Sequence, residues 1–208
     1  MLVADLLRLV AAGHSTFAGI NLAYASLEQA RLAAVAFIGA NLYGANLRST
    51  DLQGARLQYA DLRGADLREA NLACAILRGA DLSGARLGRA NLQHVRLAGA
   101  NMQWTDLQRA NLRHANCYYT RFDHANLAKA RLQEVEWRDT ALIGANLRGA
   151  HLDRGFESGV ILTPHREAPV QGNQDAELYL LEPDLRVNPF VRRLYFLRWL
   201  LQTGRLTP

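Results

Sequence analysis

Residues 60–82 read ADLRGADLREANLACAILRGADL, placing Leu62, Leu67, Leu72, Leu77 and Leu82 five residues apart, each two positions after an alanine. The frame continues in both directions. An apolar residue occupies every fifth position from Phe17 through Leu152, 28 in succession, of which 22 are Leu and the rest Phe17, Phe37, Met102, Cys117, Phe122 and Trp137. A period of five fits neither the 3.6-residue helix nor the two-residue strand, so neither element could keep these side chains on one face. Another geometry is required.

The units Ala40-Asn41-Leu42, Ala60-Asp61-Leu62, Ala65-Asp66-Leu67 and Ala80-Asp81-Leu82 resemble the pentapeptide-repeat family, whose pattern is A-(D/N)-L-x-x. The resemblance, to members of cyanobacterial type, implies an all-β solenoid: a right-handed quadrilateral β-helix of about seven coils, one pentapeptide per side. Residues 20 apart then stack. Sorting the centres on that basis puts only Leu on two sides (Leu27 to Leu147 and Leu32 to Leu152) and all six exceptions on the other two. Each Leu should point to the coil axis beside a small Ala, and seven coils at the strand spacing should span roughly 34 Å. The Asp residues at 51, 61, 66 and 81 occupy a fixed repeat position and are expected to bond backbone rather than act as paired acids.

A solenoid needs its ends closed. Residues 1–13, with Leu2, Val3, Leu6, Leu7, Leu9 and Val10 before Gly13, read as an N-terminal capping helix, followed by the β-helix over 14–155. A connector over 156–188 with Pro164, Pro169 and Pro183 leaves room for a partial coil, and 189–208 read as a C-terminal capping or interaction helix entered by Asn188-Pro189. That helix is apolar on nearly every face, with Phe190, Leu194, Leu197 and Leu201 in one stripe and Tyr195 and Trp199 in another. One face suits capping; the other suits homodimer formation or, as a competing reading, peripheral contact with a membrane complex such as a photosynthetic one.

Charge narrows the function. The net charge is +5, and residues 17–152 carry all of it, with 16 basic and 11 acidic side chains. Pentapeptide-repeat proteins that mimic DNA and act on DNA gyrase have strongly acidic surfaces, and the side bearing Arg48, Arg68, Arg86, Arg89, Arg109, Lys129 and Arg148 has the opposite sign. Acids at Asp66, Glu69 and Asp106 interrupt that side, which argues for an ordinary solvated surface and against nucleic acid. No glycine-rich phosphate loop or nucleophile–base pairing occurs, so the chain reads as no enzyme and calls for no cofactor. Two cysteines and no run of about 18 apolar residues point to a cytoplasmic protein.

Two outward constellations remain. Ile38, Tyr59, Ile76, Arg78, Tyr118 and Tyr119, with Trp104 on the next side, have the aromatic and arginine composition of a protein-partner site. Cys74, His94, His114 and Glu134 stack at one outward position and supply metal-ligand types, but ladder geometry makes such side chains run parallel rather than converge, so no metal is expected. The leading reading is a non-enzymatic interaction scaffold, regulatory in role.

Overall fold

The computed structural model describes residues 3–153 and 156–161. It opens with α1 (Val3–Ala11), whose Leu6 is fully buried in the same apolar cluster as the coil interior, with Val3 and Val10 packed against it. Gly13, at φ +90°, ends the helix and turns the chain into the first coil.

From Thr16 onward the chain winds as a β-solenoid. Each residue preceding a centre bridges in parallel to the residue 20 later, as in Asp66↔Arg86 and Arg86↔Asp106. Every side makes one bond upward and one downward. Leu87 N–H donates to Asp106 O at 2.7 Å, and Arg86 N–H donates to Ala65 O at 2.9 Å. Corners intervene after two or three extended residues, so regular pairing is short: β1 (Arg131–Leu132) with β3 (His151–Leu152), and β2 (Thr140–Ala141) with β4 (Val160–Ile161). A 3-10 turn at Phe156–Gly159 leads into β4.

The interior is built as the five-residue frame requires. Every centre from Leu22 through Leu147 is buried except Trp137, and nearly all the inward Ala residues are at most 1% exposed. Where Thr replaces Ala, its hydroxyl finds a carbonyl: Thr50 Oγ1 donates to Leu27 O, Thr120 Oγ1 to Leu97 O and Thr140 Oγ1 to Cys117 O, at 2.6–2.8 Å. These bonds let a buried hydroxyl sit in an apolar tube without the cost of an unmade bond. Trp137 departs from the inward expectation. Its ring is only half-buried, packed edge-on between Phe122 and Phe156.

The centres fall on four sides: side 1 carries Phe17, Phe37 and Leu57 onward, side 2 Leu22 onward, side 3 Leu27 onward and side 4 Leu32 onward. The two residues after each centre form the corner to the next side. The second of them has φ near +60°, and the following N–H donates back to the centre's carbonyl, as Ala60 N–H does to Leu57 O at 3.2 Å. Among the described residues, seventeen of these corner positions are not glycine. The conformation is enforced between coils: Tyr59 N–H donates to Arg78 O at 3.1 Å and Trp104 N–H to Asp123 O at 3.0 Å. The Asx residue before each centre secures the other half of the corner. Asp51, Asp61, Asp66 and Asp81 each accept the backbone N–H two residues on, at 2.9–3.2 Å, as expected for that repeat position.

The two thiols differ in kind. Cys74 is exposed at a corner, while Cys117 is a buried centre whose thiol is pushed well above the ordinary range, first by burial and then by Glu136. A thiol titration with an aromatic disulfide should therefore count one reactive cysteine in the native protein and two in denaturant. Two fast native thiols would contradict the inward placement of Cys117.

Candidate functional site

The expected aromatic patch does not form a single flat surface. Ile76 lies on side 1 between Arg56 and Arg96 and is half-buried. Ile38, Arg78 and Tyr118 are first corner residues between sides 1 and 2, with Ile38 and Tyr118 half-buried and Arg78 exposed. Tyr59 and Tyr119 stand at the second position of that same corner, 65% and 56% exposed. Trp104, also 65% exposed, belongs to the next corner, between sides 2 and 3.

Sequence reasoning missed Tyr24 and Tyr43. Both lie on the corner that holds Trp104; Tyr24 is 73% exposed and meets Tyr43 edge-on at 5.3 Å. The Arg63 guanidinium sits 5.4 Å from the Tyr43 ring centroid, within cation–π range. The signal that could have found them is repeat position, since Tyr24 is two after its centre, like Tyr59, Trp104 and Tyr119. All the strongly exposed aromatics among the described residues thus border side 2, on one corner or the other.

Between these two aromatic corners the outward row of side 2 is polar: Asn21, Asn41, Asp61, Asp81, Asn101 and Arg121. Its acids are largely committed. Asp61 accepts from Arg63 Nε at 2.8 Å and Nη2 at 2.7 Å, and the hydrogen bond from Arg63 holds its carboxyl below the usual range. The corner rings lap over the next coil. A Cβ placed on Gly44 would meet the Tyr24 ring at 2.8 Å, and one on Gly79 the Tyr59 ring at 2.7 Å. Trp104 instead stacks on His124, with centroids 4.1 Å apart and planes 15° from parallel. Such lapping holds the Tyr24 and Tyr59 rings against glycine backbone and the Trp104 ring against an imidazole, an arrangement that loses little side-chain freedom on contact.

The Cys74, His94, His114 and Glu134 column is a stack rather than a cage. The imidazoles of His94 and His114 lie 4.6 Å apart and 2° from parallel, so their ring nitrogens do not converge. His114 Nδ1 is instead 3.2 Å from Glu134 Oε2, and Oε1 of the same carboxylate lies 3.8 Å from Arg113 Nη2. No cluster of three or more metal-ligating side chains occurs among the described residues.

On side 3, Arg68 chelates Asp66, with Nε 2.8 Å from Oδ1, and this bond holds the Asp66 carboxyl below the usual range. Arg89 approaches Glu69 at 4.0 Å. Phe190, Leu194, Tyr195, Leu197, Trp199 and Leu201, with the connector and C-terminal helix, lie outside the described residues.

The profile of the pentapeptide repeats, in eight copies, matches residues 15–54, 50–89, 85–116 and 120–154. The chain belongs to the pentapeptide-repeat family. Among solved structures, HetL, a pentapeptide repeat protein involved in heterocyst differentiation regulation from the cyanobacterium Nostoc sp. strain PCC 7120, is 28% identical. That match covers 78% of this chain and 97% of HetL, at a TM-score of 0.32. Rfr23 of the cyanobacterium Cyanothece 51142 is 22% identical, covering 77% and 98%, with a TM-score of 0.34. QnrB1, a plasmid-mediated fluoroquinolone resistance protein, is 17% identical over 71% of this chain and 76% of its own in a trypsin-treated form, with a TM-score of 0.51. This last likeness is one of fold. Comparison with curated proteins gave no match. Pentapeptide-repeat proteins are generally structural or interaction proteins, and among the described residues no helix is long and apolar enough to cross a membrane.

Proposed function

We propose that this pentapeptide-repeat protein is a non-enzymatic interaction scaffold that binds a protein partner across side 2. The observation that supports this reading is the placement of Tyr24, Tyr43, Tyr59, Trp104 and Tyr119, all exposed, on the two corners that border one side, with Tyr24, Tyr59 and Trp104 backed by the next coil. Large rings held on a rigid frame around a polar strip are the anchors from which protein interfaces draw most of their energy. A partner contacting both corners would grip side 2 as a rail.

The gyrase-directed alternative is disfavoured by charge. Mimicry of a phosphate backbone needs unneutralised anions at regular spacing, and Asp61 and Asp66 are each chelated by an arginine two residues on. Little inhibition of gyrase in a supercoiling assay is the expected result.

The test of the scaffold reading is affinity capture from the native cell with the intact chain and with a Tyr59→Ala/Trp104→Ala/Tyr119→Ala variant. A variant that melts normally yet loses a stoichiometric partner, with more than about 2 kcal/mol of binding energy gone, is the expected outcome. Retention of the same partner at the same strength would reject side 2 as the docking side.

A further inference from the structure

We propose that the corner between sides 3 and 4 is a docking strip for an extended acidic peptide segment of a protein partner. The proposal rests on the scaffold reading but uses a different surface, so the two can fail separately.

The corner residues in successive coils are Glu28-Gln29, Arg48-Ser49, Arg68-Glu69, Gly88-Arg89, Gln108-Arg109, Ala128-Lys129 and Arg148-Gly149. Every coil from Arg48 to Arg148 contributes one cation. Intermingled acids argue, on sequence alone, for a neutral solvated surface, but their placement changes that balance. Asp66 is chelated by Arg68, and Glu69 faces Arg89. Beyond them the acids run out. Asp106 is the one acid on side 3 or this corner from Arg86 to Gly149, and its Oδ1 accepts from Gln108 N–H at 3.1 Å and Asn126 Nδ2 at 3.0 Å. Among the described residues, Arg109, Lys129 and Arg148 take part in no ion pair.

These cations are also held in file. Arg89 N–H donates to Gln108 O at 3.0 Å, Arg109 N–H to Ala128 O at 2.9 Å and Lys129 N–H to Arg148 O at 2.9 Å, so their backbones are locked to one another along the axis. At about 4.8 Å per coil, Arg89, Arg109 and Lys129 stand in a straight row roughly 10 Å long, and Arg148 follows from the other residue of the next coil's corner. An extended peptide is also straight and presents same-face side chains about every 6.7 Å, within the reach of flexible Arg and Lys heads. Duplex DNA winds its phosphates away from a straight file. Single-stranded nucleic acid is held by aromatic platforms set among cations, and this corner has no aromatic residue. The strip therefore fits carboxylates on an unfolded or strand-like segment, steered in by unscreened charge.

The experiment is fluorescence anisotropy of a labelled oligoglutamate peptide titrated with the full chain, beside a single-stranded oligodeoxynucleotide of equal charge. Arg109→Glu/Lys129→Glu should weaken peptide binding about tenfold or more, and added salt should weaken it further. Arg56→Glu/Arg96→Glu, with the same change in net charge on side 1, should shift it by less than about twofold. Arg109→Gln/Lys129→Gln guards against misfolding, because Gln29 already occupies the equivalent corner position at φ +59°. No saturable peptide binding, equal loss in the two charge-reversed variants, or tighter oligonucleotide binding through the same residues would each overturn the proposal. The Tyr59→Ala/Trp104→Ala/Tyr119→Ala variant should bind the peptide unchanged, which separates this strip from side 2.

Discussion

Leu87→Ala is expected to lower the stability of the solenoid by about 2–5 kcal/mol, and Arg86→Ala, its immediate neighbour, by no more than about 0.5 kcal/mol. Leu87 is fully buried, between Leu67 and Leu107 of the adjoining coils, while the Arg86 side chain is exposed. The void left by the truncation cannot close easily. Leu87 N–H is bonded to Asp106 O at 2.7 Å and Arg86 N–H to Ala65 O at 2.9 Å, so the backbone is clamped from both sides. Urea melts read at a common slope would give the two values. Equal sensitivity at the two positions would be incompatible with an inward Leu87.

Enlarging the interior should be nearly as damaging as emptying it. Ala85 is fully buried two residues before Leu87, and its small volume is what allows the leucines of four sides to meet at one axis. Ala85→Leu is expected to cost about 1–3 kcal/mol through displaced rotamers and backbone. The same exchange at exposed Ala33, a corner residue, should stay within about 0.5 kcal/mol of neutral. A midpoint for Ala85→Leu as high as that of the unaltered chain would mean that the coil interior holds unfilled space.

The architecture was legible because one physical fact, that a tube wall repeating every five residues must carry a small and a large apolar residue in each unit, is written in every unit. The buried leucines, the flanking alanines, the 20-residue stack and the backbone-bonding aspartates all follow from it. The candidate site was read less well. Linear order assigns Tyr59, Ile76 and Tyr118 to one side, whereas position within the unit separates them, with Ile76 on the wall and Tyr59 and Tyr118 at the corner. Tyr24 and Tyr43 went unnoticed for the same reason. Charge carried a similar ambiguity: composition counts Asp66, Glu69 and Asp106 as neutralising the basic side, and only the geometry reveals that Asp66 and Glu69 are taken up by Arg68 and Arg89 while Asp106 bonds Gln108 and Asn126. Trp137 differs again, since its expected burial depended on packing around the final described coil, where Phe122 and Phe156 hold the ring half out.

The left-handed corners carry a further meaning. A side chain held at φ near +60° costs about 1–2 kcal/mol that glycine would avoid. Ten of the corners among the described residues are in fact glycine. Gly84→Ala and Tyr59→Gly are thus opposite moves on one thermodynamic scale, and a glycine-only version of the molecule would be the sturdier object. Tyrosine, tryptophan, arginine and lysine stand at such corners, so every side chain that this protein holds out there comes at the expense of the rod beneath.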